Sequence, residues 1–239
     1  MNSRKEKKGM AKKIDKRRKY ILLIDTETCP IDRTIEGVDP NNMLVYDIGY
    51  RIIDKHGNCY EERSFIVDEV FFGEYQKMRN GYYYNKLPKY FLDLGNGEAE
   101  HLPFNSIREI VRNDIADYNI STVCAHNARF DCISLSATTK YIGGDYLFPY
   151  GIEWWDTMKM AKTTICAKKG YIKFCEDNGY MTKHRTPRPQ MKAEVLYKYI
   201  INDTDFVEEH RAIYDARIES EILKECFRTH KKMEKCLWK

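Results

Sequence analysis

The sequence predicts an α/β fold with a mixed central sheet, in which a β-meander is followed by alternating strands and helices. The apolar run "YILLIDTETCP" (20–30), bounded by Pro30, favours a central strand over a helix. Two β-rich runs, 43–54 and 59–67, flank the turn-forming tripeptide at 56–58 and predict a hairpin. Strand-like and helix-like segments then alternate, which is the pattern of an α/β sheet.

The elements after the meander follow from hydrophobic periodicity. Asn105 or Ser106 is a candidate cap for the second predicted helix, and Asp156 or Thr157 is placed where a later helix needs its cap. We predict helices over 71–79, 105–118, 128–141, 193–201 and 205–228, a strand over 121–127, and a strand followed by a helix within 151–166.

Positive charge is concentrated at the N-terminus of this 239-residue chain. Residues 1–19 contain ten lysines and arginines and two acids, a net charge of +8, so that 20–239 carry −4 of the total +4. We expect 1–19 to be a disordered basic tail and 20–239 to form a single domain. The tail is interpreted either as a solubility feature or as a sequence-independent hold on phosphate backbones.

The cysteines and the hydropathy predict an intracellular protein. None of the eight cysteines forms a C-x-x-C pair or has zinc-type cysteine and histidine spacing, so reduced thiols are expected. No run approaches the roughly 20 apolar residues that cross a bilayer, and no apolar signal region follows the basic N-terminus. We therefore expect a cytoplasmic protein without membrane association.

Three short acidic motifs occur in order along the chain: "DTET" from Asp25, "HNARFD" ending at Asp131, and "HRAIYD" from His210 to Asp215. Asp25 and Glu27 are two apart on a strand and so share a face, where they repel unless a positive group neutralises them. Each motif also has an ordinary interpretation: a turn or cap for the first, a first-turn helix acid for the second, and a solvated helix face for the third.

The ordered set of motifs resembles the DEDDh-type 3′→5′ exonucleases, the family of the proofreading subunit and RNase T, which adopt the RNase H-like fold. The resemblance covers most of 20–228 and departs from the family at the tail and in the loops 81–103 and 168–192. The four residues between the third-motif histidine and aspartate match the histidine subclass and not the tyrosine subclass. The matching positions are Asp25, Glu27, Asp131, His210 and Asp215.

The resemblance implies two divalent ions, Mg²⁺ or Mn²⁺, held by Asp25, Glu27, Asp131 and Asp215. Carboxylates suit these hard cations, and two ions about 4 Å apart can stabilise the attacking and leaving oxygens of a phosphodiester. His210 is then the general base. Residues five apart on a helix differ by roughly 500° and do not share a face, so His210 is expected on a loop ahead of the helix of Asp215.

Other polar and aromatic residues near the motifs are candidate substrate contacts. Thr26 and Thr28 alternate with the first two acids, while Asn127 and Phe130 lie beside Asp131. A turn residue and a core aromatic are the alternatives for the last two. The run Tyr82 to Tyr84, with Lys86 and Lys89, could stack and hold single-stranded bases or form a packed surface loop.

The sequence therefore predicts a metal-dependent 3′→5′ exonuclease that releases nucleoside 5′-monophosphates from a nucleic acid with a free 3′ end, single-stranded DNA being favoured. One alternative is an exoribonuclease or oligoribonuclease, since contacts to the 2′-hydroxyl decide this choice. Another is a non-catalytic nucleic-acid-binding module that serves a DNA polymerase. A DNA polymerase is thus a candidate partner, and the oligomeric state is left open.

Overall fold

The computed structural model describes residues 14–79, 84–229 and 232–238, and within them the chain builds a mixed six-stranded sheet in the order β4-β3-β2-β1-β5-β6. β1 is antiparallel to β2, and β2 to β3, whereas β5 and β6 continue parallel to β1. The predicted meander and the α/β class are therefore confirmed. The strands are β1 Ile21–Pro30, β2 Met43–Ile53, β3 Cys59–Val67, β4 Glu100–Leu102, β5 Thr122–Ala125 and β6 Glu153–Asp156.

Helices cover both faces of the sheet, and several begin elsewhere than predicted. The helix expected over 71–79 is two short helices, and the one expected from 205 begins at Ala212. α3, α7 and the short strand β4 fall in segments with no predicted element. The helices are α1 Asp68–Phe71, α2 Tyr75–Arg79, α3 Leu87–Asn96, α4 Phe104–Asp117, α5 Arg129–Ile142, α6 Thr157–Thr163, α7 Lys169–Asp177, α8 Ala193–Ile201 and α9 Ala212–Arg228.

The start of α4 corrects one predicted cap. The helix begins at Phe104, ahead of Asn105 and Ser106, and has no side-chain cap of its own. The Phe104 N–H instead donates to the Glu69 carboxylate of α1 at 2.9 Å. A carboxylate from another helix thus satisfies a donor that the sequence pattern assigned to a local cap.

Successive side chains of β1 point to opposite faces of the sheet, and the core is therefore divided into two layers. Leu22 and Ile24 pack on the side of α4 and α5, whereas Leu23 packs with α6, α8 and α9. The N-terminus of α9 lies directly on β2, because a Cβ at Gly49 would come within 2.1 Å of the Ile213 backbone nitrogen. Gly49 is the register partner of Asp25, so this close approach brings the start of α9 beside the first motif.

The end of the basic N-terminal segment contacts the rest of the chain, while residues 1–13 lie outside the described part of the chain. Ile14 packs against the core, and Arg18 donates to Asp54 at 2.8 Å and lies over the Tyr60 ring. All eight cysteines are free thiols. Within 14–79, 84–229 and 232–238, no helix combines the length and apolarity needed to span a bilayer.

Candidate active site

The three acidic motifs converge on one cavity of about 290 Å³ at the sheet. β5 runs parallel to β1 and leads into α5, so Asp131 in the first turn of α5 arrives beside the acids of β1. The close packing of α9 on Gly49 brings in the third motif. The cavity lining contains all five residues predicted to be catalytic: Asp25, Glu27, Asp131, His210 and Asp215.

His210 and Asp215 occupy the positions that their spacing requires. His210 lies ahead of α9, in the left-handed region with φ 53°, which confirms the predicted loop. Asp215 lies in the first turn of α9, and its carboxylate is buried. Glu27, His210 and Asp215 each offer one ligand atom, and these atoms lie within 4.8 Å of one another. Asp25 and Asp131 line the same cavity but do not belong to this close group.

Burial and mutual repulsion strongly disfavour the charged forms of the clustered carboxylates. Burial raises the pKa of Asp131 to about 7 and, with repulsion from Asp47, the pKa of Glu27 to about 8. Burial and the neighbouring Glu208 raise the pKa of Asp215 to about 10. The pKa of Asp25 is also raised well above its usual value, by burial first. These carboxylates need a positive partner to be ionised together at neutral pH.

The donor set fits a hard divalent cation, which prefers carboxylate oxygens. Asp215 Oδ1 is buried and makes no hydrogen bond among the described residues. An unsatisfied buried oxygen of this kind is expected where a metal ion binds. Carboxylates of β1, α5 and α9 line the same cavity. The residues present are therefore suited to hold Mg²⁺ or Mn²⁺.

The predicted substrate contacts occupy different environments. Asn127 and Phe130 line the cavity, Asn127 being exposed with a left-handed φ of 61°. Thr26 also lines it, but its hydroxyl donates to Asp131 Oδ1 at 2.7 Å. Thr28 follows a shift in strand register after Glu27 and does not line the cavity. The side chain of Thr26 thus orients a carboxylate.

Two further carboxylates in the cavity were not predicted. Glu219 is 2% exposed, accepts the His126 N–H at 3.0 Å, and burial raises its pKa well above the usual range. It lies one turn after Asp215, and this i,i+4 spacing is a signal that could have indicated it. Glu208 Oε2 lies 3.7 Å from His210 Nδ1. It precedes the helix in an irregular segment, where no periodicity points to it.

Two polar residues near the cavity have structural roles. His126 is half-buried, with Nδ1 2.8 Å from the Thr157 hydroxyl and Nε2 2.7 Å from the Met191 carbonyl. Asp156 caps α6, as predicted, by accepting the Met158 N–H at 2.9 Å. It also accepts the Asn127 N–H at 3.1 Å and so fixes the turn that precedes α5.

Comparison with solved structures identifies the architecture. The mixed sheet with its helices is the RNase H-like fold, and the resemblance to DEDDh 3′→5′ exonucleases is confirmed at the level of fold. A 3′-exonuclease described as recognising the histone mRNA stem-loop matches with a TM-score of 0.59 and 10% identity, over 91% of this chain and 85% of that one.

Two other solved exonuclease structures match over most of this chain at similarly low sequence identity. The nuclease domain of 3′hExo, a DEDDh family member bound to rAMP, gives a TM-score of 0.53 and 12% identity, over 92% of this chain and 98% of that one. Escherichia coli exonuclease I with a dA16 oligonucleotide gives 0.50 and 14%, over 89% of this chain and 41% of that one. The sequence matches no protein-family model and no curated protein.

Proposed function

We propose that this protein is a metal-dependent 3′→5′ exonuclease that removes nucleoside 5′-monophosphates from the 3′ end of single-stranded DNA. One observation carries the proposal: carboxylates from three distant sequence segments share one cavity with His210, in a chain with the fold of 3′-exonucleases. The fold supports the reaction class, and the cavity supports the residue roles.

Asp25, Glu27, Asp131 and Asp215 are the proposed ligands of two Mg²⁺ or Mn²⁺ ions. When bound, two such ions neutralise charge on the attacking and leaving oxygens of the phosphodiester. The chain's own contribution is to hold these carboxylates in place. Thr26 orients Asp131 from β1, and the contact of α9 with Gly49 sets the position of Asp215.

His210 is the proposed general base. Burial, and then the nearby charge of Lys86, lower its pKa, so the imidazole is neutral at neutral pH and can accept a proton. The attacking water gives this proton to His210 while its oxygen bonds to phosphorus. The bond from phosphorus to the 3′-oxygen of the preceding nucleotide breaks, and that oxygen takes up a proton from solvent water to become the new 3′ end.

The nature of the sugar is a separate part of the proposal. DNA is favoured by the resemblance to proofreading enzymes, while an exoribonuclease is the second candidate, since one matched structure is bound to rAMP and another is described as recognising an mRNA stem-loop. Asn127 and Phe130 are the proposed contacts to the terminal nucleotide.

The proposal also includes a cytoplasmic location and a DNA polymerase as partner. The eight free thiols support the location.

A substrate panel tests both the reaction and the sugar preference. Single- and double-stranded DNA and RNA, each with a free or a blocked 3′ end, are incubated with the protein and Mg²⁺. We expect mononucleotides from the free 3′ ends and fastest release from single-stranded DNA. Faster release from RNA would replace the substrate assignment, whereas equal cleavage of blocked ends would contradict a 3′→5′ exonuclease.

A further inference from the structure

One face of α3 is directed at the segment that carries His210. The residues of this face are Lys89, Tyr90 and Asp93 of α3 together with Lys86, which immediately precedes the helix; their spacing of i, i+3, i+4 and i+7 places them on one side. The two lysines contact Glu209, and Tyr90 and Asp93 contact Arg211. The helix lies in 81–103, where the sequence departs from the exonuclease pattern.

The two lysines of this face bind the residue before His210. Lys86 Nζ donates to the Glu209 carbonyl at 2.5 Å, and Lys89 forms an ion pair with the Glu209 carboxylate. Lys89 Nζ also lies 4.8 Å from the centre of the Tyr214 ring. Both the backbone and the side chain of Glu209 are therefore held by α3.

The rest of the face holds the residue after His210. Arg211 is 1% exposed; its Nε donates to Asp47 Oδ2 at 2.9 Å, and it forms an ion pair with Asp93. The guanidinium lies 4.1 Å from the centre of the Tyr90 ring. Asp47 also accepts the Ala212 N–H at 3.2 Å. A buried arginine with these partners cannot reach a substrate, so its role is to fix the backbone.

His210 is thus fixed from both sides in a conformation that an L-residue rarely adopts. Its φ of 53° is in the left-handed region, and such a residue persists when its surroundings determine it. Release of Glu209 or Arg211 would let His210 return to an extended conformation and move its imidazole relative to Glu27 and Asp215.

We propose that α3 is a clamp that holds the general base in its working position, with Lys89, Asp93 and Arg211 as positioning residues. The inference rests on the proposed function, because it assigns a purpose to the placement of His210. It predicts that weakening the clamp lowers the chemical rate without changing the capacity to bind metal or substrate.

Asp93→Asn and Lys89→Ala weaken the clamp at two separate contacts. We expect each to lower kcat on a 3′-labelled oligonucleotide by about tenfold, with KM and the Kd for Mn²⁺ within about twofold of the wild type. Lys224→Ala is the matched control, because it removes an ion pair with Glu221 farther along α9. A kcat within about twofold of wild type for both clamp variants would overturn the proposal.

A double-variant comparison separates positioning from general destabilisation. Combined with His210→Ala, neither clamp change should lower the remaining rate further, because the residue that the clamp positions is already absent. An additional tenfold loss in that background would contradict the proposal. Lys89 is partly exposed, so Lys89→Ala keeps the comparison usable if Asp93→Asn does not fold.

Hydrogen exchange of the metal-free full-length protein tests the clamp without any activity measurement. Amides in 207–212 should exchange faster in Lys89→Ala than in the wild type, while those of β1 stay unchanged. Unchanged exchange in 207–212 would overturn the clamp. Faster exchange in a chain with no nuclease activity would instead leave the clamp standing and contradict the proposed function.

Discussion

Replacing Thr26 by valine tests whether this residue acts on the metal site or on the substrate. Valine has nearly the same shape, so the change removes one hydroxyl, which donates to the buried Asp131 at 2.7 Å. A hydrogen bond to a charged group contributes about 1.5–3 kcal/mol, and loss of a partner that orients a metal ligand typically weakens metal binding roughly 10- to 100-fold. We expect Mn²⁺ affinity to fall by about that factor.

The pH dependence of metal binding provides a second readout of this variant. The Thr26 hydroxyl lowers the pKa of Asp131 against the larger effect of burial, which raises it to about 7. Without the hydroxyl the pKa rises further, so the proton competes with the metal up to a higher pH. Calorimetric titration of Mn²⁺ at several pH values should show the shift.

Thr28→Val on the same strand is the control for this prediction, since Thr28 does not line the cavity. It should bind Mn²⁺ like the wild type. The reasoning would be refuted if Thr26→Val kept wild-type Mn²⁺ affinity and raised only the KM for the oligonucleotide. That result would return Thr26 to the role of a substrate contact.

Three further predictions concern charge. Because the folded-state pKa of Asp215 is raised to about 10, the native state binds protons that the unfolded state releases above about pH 4, so stability without metal should fall as the pH rises toward about 10. Mg²⁺ should remove this dependence in thermal melts, and equal slopes with and without Mg²⁺ would count against a metal site. Glu219 is ionised in the unfolded chain at neutral pH, whereas burial favours its neutral form in the folded state. Glu219→Gln removes the cost of this protonation and should raise the melting temperature in EDTA by a few degrees; a lower melting temperature would indicate a purely structural carboxylate. Residues 1–13 carry a net charge of +5, and replacing them by a Gly/Ser segment of equal length should weaken oligonucleotide binding and flatten its salt dependence. An unchanged salt dependence would indicate a solubility feature.

Local pattern was sufficient for five of the six described strands, and the ordered acidic motifs indicated the convergence of the acids through their resemblance to a known family. The meander follows from alternation and from the turn around Gly57, whose φ of 80° suits glycine. Asp25, Asp131 and Asp215 could be grouped because each lies in one of three ordered motifs that together resemble those of the DEDDh exonucleases. Burial is the largest cause of their raised pKa values, ahead of the repulsion between carboxylates that the sequence indicated.

Contacts between distant segments could not be predicted in this way. Thr26 and Asp131 are 105 positions apart, and Asp93 and Arg211 are 118 apart. Lys86 and Lys89 were considered as base-holding residues, since a basic and aromatic run is typical of nucleic-acid contacts, but in the structure both bind Glu209. Tyr82 and Tyr83 of that run lie outside the described residues. Only the fold reveals which charges meet.

The central claim is that the acids of β1 belong to a nuclease site, and Asp25→Ala tests it most directly. Release of mononucleotides from a 3′-labelled single-stranded DNA is measured in Mg²⁺, together with binding of the same oligonucleotide in the absence of metal. We predict that the wild type releases mononucleotides, and that the variant loses release while binding the oligonucleotide as the wild type does. Undiminished cleavage by Asp25→Ala would contradict the account.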